Sequence, residues 1–107
     1  MNSYNWKDLV PRSKGPGISL RTVHSGSMTV AHWSFDPDTD LPTHSHPHEQ
    51  IALLQEGRFE LTVDGESREL CPGEVVVIPP DIPHSGRAIT ASRVIDVFSP
   101  VREDMLE

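Results

Sequence analysis

Three histidines fall within the run His44-Ser45-His46-Pro47-His48, followed by Glu49 and Gln50, and a fourth, His84, stands apart from them. Imidazole is the commonest protein ligand for a transition metal. In an extended strand, side chains two residues apart point to the same face. His44 and His46 can therefore aim at one point, and Gln50 shares their parity. His84 follows the apolar run Val75-Val76-Val77-Ile78 and a proline-rich turn. If the two strands face each other, three imidazoles and one amide converge on one ion. The expected metal ligands are His44, His46, Gln50 and His84. Imidazole and amide donors suit Zn, Ni, Fe, Mn or Co, so the expectation is one divalent transition metal of unassigned identity. Glu49 has the opposite parity, and His48 reaches the ion only if Pro47 kinks the strand. Both stay open as alternatives to Gln50.

Such ligands need strands to hold them, and the chain reads as strands and turns. Ten prolines and seven glycines interrupt it every few residues, which breaks helices. Short β-type segments run over 18–23, 27–35, 50–55, 58–63, 66–70, 74–78 and 88–97. In the fourth, Phe59, Leu61 and Val63 face in while Arg58, Glu60 and Thr62 face out. Asp64-Gly65 is a strong two-residue hairpin signal. The 50–55 segment is apolar almost throughout and is expected to be buried on both faces. Residues 101–107 read as a short helix or a tail. The expectation is an all-β sandwich or small barrel, with an arm over 1–17 and a barrel over 18–100.

Composition limits the function. A length of 107 residues suits one domain with one modest core. Sixteen acidic against nine basic residues leave a net charge of −7, which argues against a nucleic-acid surface. It leaves room for an anionic small molecule, since a few arginines inside a pocket suffice. The apolar runs are too short to span a membrane. No signal peptide is visible at the start, and Cys71 is the one cysteine, so a reducing cytoplasm is expected. Cys71, at a Pro-Gly turn, is read as structural. A homodimer is expected as well. The segment from Tyr4 to Ile18 carries Trp6, Leu9 and Val10 and has no core of its own to join. Pairing it with a neighbour's sheet would hide an exposed edge.

Two blocks carry a resemblance: His44-x-His46-x3-Gln50-x6-Gly57 and Gly73-x5-Pro79-x4-His84. Together they resemble the two motifs of the cupin superfamily, which implies a cupin-type jelly-roll β-barrel with a metal in its mouth. The chain departs from the usual pattern at three points. Gln50 stands where a glutamate is usual, leaving the metal's charge uncompensated by a carboxylate. A glycine before the first histidine pair is missing. Asp81 replaces a glycine two residues after Pro79, and aspartate tolerates left-handed turns. A third block, Ile95-Asp96-Val97-Phe98-Ser99-Pro100-Val101-Arg102, is similar to the small single-domain cupins of pectin and alginate breakdown. Those proteins convert cyclic 4,5-unsaturated monouronates to linear keto forms.

The resemblance implies a metal-dependent, ring-opening enzyme acting on a small anionic sugar acid, with Asp96, Phe98 and Arg102 supporting activity. Their parity places them on one face if the last strand runs straight. Arg102 offers a planar fork for a carboxylate. Asp96 could move a proton if burial raises its pKa. Phe98 would wall the sugar ring. The plainer alternatives are an Asp96–Arg102 ion pair at the rim, and core packing for Phe98. Arg21 could face the same mouth, though a solvated strand position suits it better. Two other functions stay in view: an Fe(II) dioxygenase with a three-histidine site, and a non-enzymatic sugar- or metal-binding protein.

Overall fold

In a computed structural model, which describes residues 1–106, two antiparallel sheets pack face to face in a jelly-roll arrangement. The strands in chain order are β1 (Arg12–Ser13), β2 (Ile18–His24), β3 (Thr29–Phe35), β4 (Thr39–His44) and β5 (Glu49–Glu56). They continue as β6 (Phe59–Val63), β7 (Glu66–Leu70), β8 (Val75–Ile78), β9 (His84–Ala88) and β10 (Ser92–Ser99). One sheet has the order β1-β2-β3-β10-β5-β8 and the other β4-β9-β6-β7. The two are not laddered into a closed barrel, and β7 and β8 are edge strands. Among the described residues helix is confined to two 3-10 turns, Trp6–Asp8 and Glu103–Met105. Among the described residues no helix is long and apolar enough to cross a membrane. The expected tail is described as far as Leu106, and Glu107 lies outside the described residues.

Alternation builds the interior. On β10, Ser92, Val94, Asp96 and Phe98 turn inward, and on β6 Phe59 and Leu61 do. Phe35 meets Phe59 at 5.1 Å between ring centroids and closes the end of the sandwich away from the histidines. Gly86 leaves room for the Phe59 ring, which a Cβ there would strike. The Asp64-Gly65 hairpin forms as expected, with Val63 opposite Glu66 and both turn residues at positive φ. Asp81 also takes a positive φ of 63°, so aspartate serves where a glycine is usual.

Four expectations need correcting. The 50–55 segment is buried on one face only: Gln50, Ala52 and Leu54 face in, while Ile51 is 41% exposed. Its outer face pairs Ile51 with Val77 and Leu53 with Val75, and among the described residues Ile51, Val75 and Val77 stay exposed. The last strand starts at Ser92, because Ala88 ends β9 and residues 89–91 form a bend. Strands β4 and β9 lie outside the expected strands except at His44 and Ala88, since Thr39-Asp40-Leu41-Pro42-Thr43 and His84-Ser85-Gly86-Arg87 lack a β-rich run. The N-terminal arm does find a place on its own subunit. Arg12 and Ser13 pair with Leu20 and Ser19, and Trp6 stacks on His32 at 5.1 Å. Arg21 belongs to this outer layer, where its Nε donates to the Leu9 carbonyl at 3.0 Å.

Candidate metal centre and cavity

His44 and His84 are cross-strand partners on β4 and β9, with ring centroids 4.2 Å apart. His46 lies past the end of β4, in the bend leading to β5, so the same-strand argument for His44 and His46 does not hold. The bend turns His46 inward instead. Its carbonyl accepts from the Asp81 N–H at 2.8 Å, which ties it to the proline-rich turn before β9. One ligand nitrogen from each of His44, His46 and His84 lies within 4.8 Å of the other two.

Backbone carbonyls set the state of each ring. His44 Nδ1 donates to the Pro42 carbonyl at 2.7 Å, His46 Nδ1 to that of His48 at 3.0 Å, and His84 Nδ1 to that of Ile82 at 2.9 Å. A carbonyl only accepts, so each Nδ1 carries the hydrogen, and in a neutral ring the lone pair is then on Nε2. Burial lowers the pKa of both His46 and His84, with the Arg102 charge contributing to each. They are therefore neutral at neutral pH, as metal ligation requires. His84 Nε2 is buried without a partner. His46 Nε2 lies 3.0 Å from Gln50 Oε1, an acceptor facing an acceptor. An orphaned imidazole lone pair and two opposed acceptors are the donor set a divalent cation resolves, so these residues fit a metal. Glu49 is exposed and points away from the cluster, while His48 offers its carbonyl to His46.

Beneath the histidines a cavity of about 300 Å³ opens between the sheets, lined by Gln50, Trp33, Asp96, Phe98 and Arg102 among others. Asp96 is 7% exposed, and burial pushes its carboxyl up to about 7. The Gln50 amide, the Trp33 indole N–H and the Arg102 charge oppose that rise. Arg102 is not on the last strand as expected. Strand β10 ends at Ser99, and the Arg102 backbone N–H is pinned to buried Thr29 Oγ1 at 2.9 Å. Its guanidinium lies over the Phe98 ring, 4.6 Å from the centroid. Its ion-pair partner is Asp104, met through Nε at 2.9 Å and Nη2 at 2.8 Å, rather than Asp96. That pairing holds the Asp104 carboxyl down at about 2. Phe98 is almost fully buried and stacks edge-on with His46 at 5.5 Å. It thus supports both the arginine and the histidine cluster. Cys71 is exposed on its turn, where its N–H donates to Glu74 Oε1. Trp33 is the cavity residue that motif reading passes over. Its signal is general: a buried tryptophan needs a partner for its N–H.

Two facing antiparallel sheets with a histidine cluster at one end define the class, and the match to the cupin domain family over residues 31–98 makes this chain a member of it. The chain is 37% identical over 104 residues to the pectin degradation protein KdgF of Dickeya dadantii, covering 94% of this chain and 90% of that one. The solved structure of KdgF from a Halomonas species superposes with a TM-score of 0.93 at 33% identity, over 99% of this chain and all of that one. A third relative is the Escherichia coli transcriptional regulator PuuR, 28% identical over 103 residues. The match takes in 90% of this chain but only 55% of PuuR.

Proposed function

We propose that this chain is a metal-dependent enzyme that opens a cyclic 4,5-unsaturated monouronate to its linear keto form. The single observation that carries the proposal is Asp96, a buried carboxyl held near neutrality in a sugar-sized cavity beside the histidine cluster. The similarity to a protein named for pectin degradation supports it. The reaction is an isomerisation, so any proton taken from the substrate is returned to it. Asp96, as carboxylate, accepts the proton of the ring hemiacetal hydroxyl. The carbonyl forms at that carbon as its bond to the ring oxygen breaks, and the electron pair stays on that oxygen as an enolate. A proton delivered to the far alkene carbon then yields the ketone. A carboxyl poised at about 7 can both take and return that proton. Arg102 binds the substrate carboxylate with the donors that Asp104 leaves free. A divalent metal held by His44, His46, Gln50 and His84 supplies electrostatic stabilisation for negative charge on substrate oxygens.

Incubating metal-loaded protein with the unsaturated monouronate and following it by proton NMR tests this. The vinyl signal should vanish and a methylene signal beside a ketone should grow, without oxygen consumption. A persistent vinyl signal contradicts the proposal, and oxygen uptake would favour the dioxygenase reading. The likeness to a transcriptional regulator favours one other reading, a binding protein without turnover. Tight uronate binding with no conversion would mark it. A reducing cytoplasm and a homodimer belong to the proposal, with the exposed apolar face of β5 and β8 as the surface that pairs.

A further inference from the structure

We propose that Trp33 is a positioning residue for Asp96: its indole N–H holds one carboxyl oxygen and so turns the other toward the cavity. The inference rests on reading Asp96 as the proton carrier. Strand register brings the two together. Asp96 on β10 lies opposite Ala31 of β3 and Ala52 of β5. Neither alanine can fill the space above the carboxyl. The diagonal neighbours reach it instead, Gln50 from β5 and Trp33 from β3, which sits opposite Val94. Diagonal pairs lie within reach of aromatic and long side chains. Trp33 is 6% exposed and Asp96 is 7% exposed. Trp33 Nε1 and Asp96 Oδ1 are both shut off from solvent, and neither has a partner at full hydrogen-bond geometry. An indole N–H only donates and an ionised carboxyl only accepts, so each supplies what the other lacks. Gln50 thus braces Asp96 from the metal side and Trp33 braces it from the opposite side.

A purely structural role, a large ring stacked on Phe35, is met almost equally well by phenylalanine. Trp33→Phe should therefore stay folded, lower kcat about tenfold through a misplaced carboxyl, and leave KM within about twofold. A kcat equal to the parent's, or a loss confined to KM, overturns the proposal. A second measurement needs neither turnover nor a change at Trp33. The chain has two tryptophans, Trp6 and Trp33. In a nitrogen-15 spectrum of the zinc-loaded protein, Asp96→Asn should move the Trp33 indole signal upfield. Trp6, stacked on His32 at the outer face, should not respond. An unmoved Trp33 signal overturns the contact. If the signal moves but the parent fails to convert the uronate, the contact stands. The proposed reaction then falls, and the positioning role falls with it.

Discussion

His46 Nε2 and Gln50 Oε1 face each other at 3.0 Å, and neither carries a hydrogen once His46 Nδ1 has bonded the His48 carbonyl. Turning the amide over would relieve that pair, but it would set the Gln50 oxygen against the Asp96 carboxyl, which the amide nitrogen now serves. Ionised Asp96 therefore favours the orientation of Gln50 that turns Oε1 toward the histidines. A cation between the two acceptors removes the conflict.

His46→Ala should accordingly lose the bound metal while the fold persists, because core residues such as Leu54 and Phe59 lie toward the strand ends away from the cluster. Gln50→Ala should weaken metal binding, whereas Glu49→Ala should leave it unchanged. Metal content per subunit, read beside a circular dichroism spectrum, checks all three. Full metal occupancy in the His46→Ala protein would contradict the ligand set.

Asp96 should leave a mark on stability. Its carboxyl is pushed up to about 7 in the folded protein, against about 3.9 for an ordinary aspartate. Between those values the folded state holds a proton that the unfolded chain has released, so this residue destabilises the fold progressively as pH rises through the window. His46 and His84 act in the opposite sense. Their pKa values are lowered by burial, so their contribution is lost as pH falls below their unfolded values. The difference between Asp96→Asn and the parent isolates the aspartate. In metal-free protein the variant should gain roughly 2–4 kcal/mol across that window. Urea unfolding at several pH values measures it, and a pH-independent difference would refute the assignment.

Asp96→Asn should also cost about 100- to 10,000-fold in turnover, because the shape is kept and the proton carrier is lost. Activity within a few-fold of the parent would reduce Asp96 to a structural residue.

Arg102→Ala should weaken binding of a carboxylate ligand by about 1.5–3 kcal/mol. Asp104→Ala should do less, since Phe98 and Thr29 still hold the arginine in place. Calorimetry with galacturonate ranks the two variants, and an equal or reversed order would contradict this account of the clamp.

Val75 and Val77 are 58% and 60% exposed and lie beside Ile51 on the outer face of an edge strand. Apolar edges of this kind invite pairing. The protein should run as a dimer at micromolar concentration, and Val77→Lys should yield monomers. A monomeric parent in sedimentation would remove the dimer from the account.

Much of this was legible in the residues, and the misses have physical causes. The Asp64-Gly65 turn and the alternation of Phe59 and Leu61 announce β6 and β7 directly. The histidine spacing announces the cluster, although His46 arrives by a bend rather than along a strand. Strand β4 carries a proline and polar residues because it forms the site's wall rather than the core. β5 has an apolar outer face as well as an apolar inner one, so composition alone suggested burial on both. The Arg102–Asp104 pair and the Trp33–Asp96 diagonal depend on register and chain reversal, which local patterns do not encode.

The most direct test follows the conjugated double-bond absorbance of a 4,5-unsaturated monouronate. Three samples are compared: metal-loaded protein, chelator-stripped protein, and stripped protein restored with metal. The account predicts rapid loss of absorbance in the first and third and only the slow spontaneous rate in the second. Equal rates in all three, or loss of absorbance that Asp96→Asn leaves untouched, would contradict it.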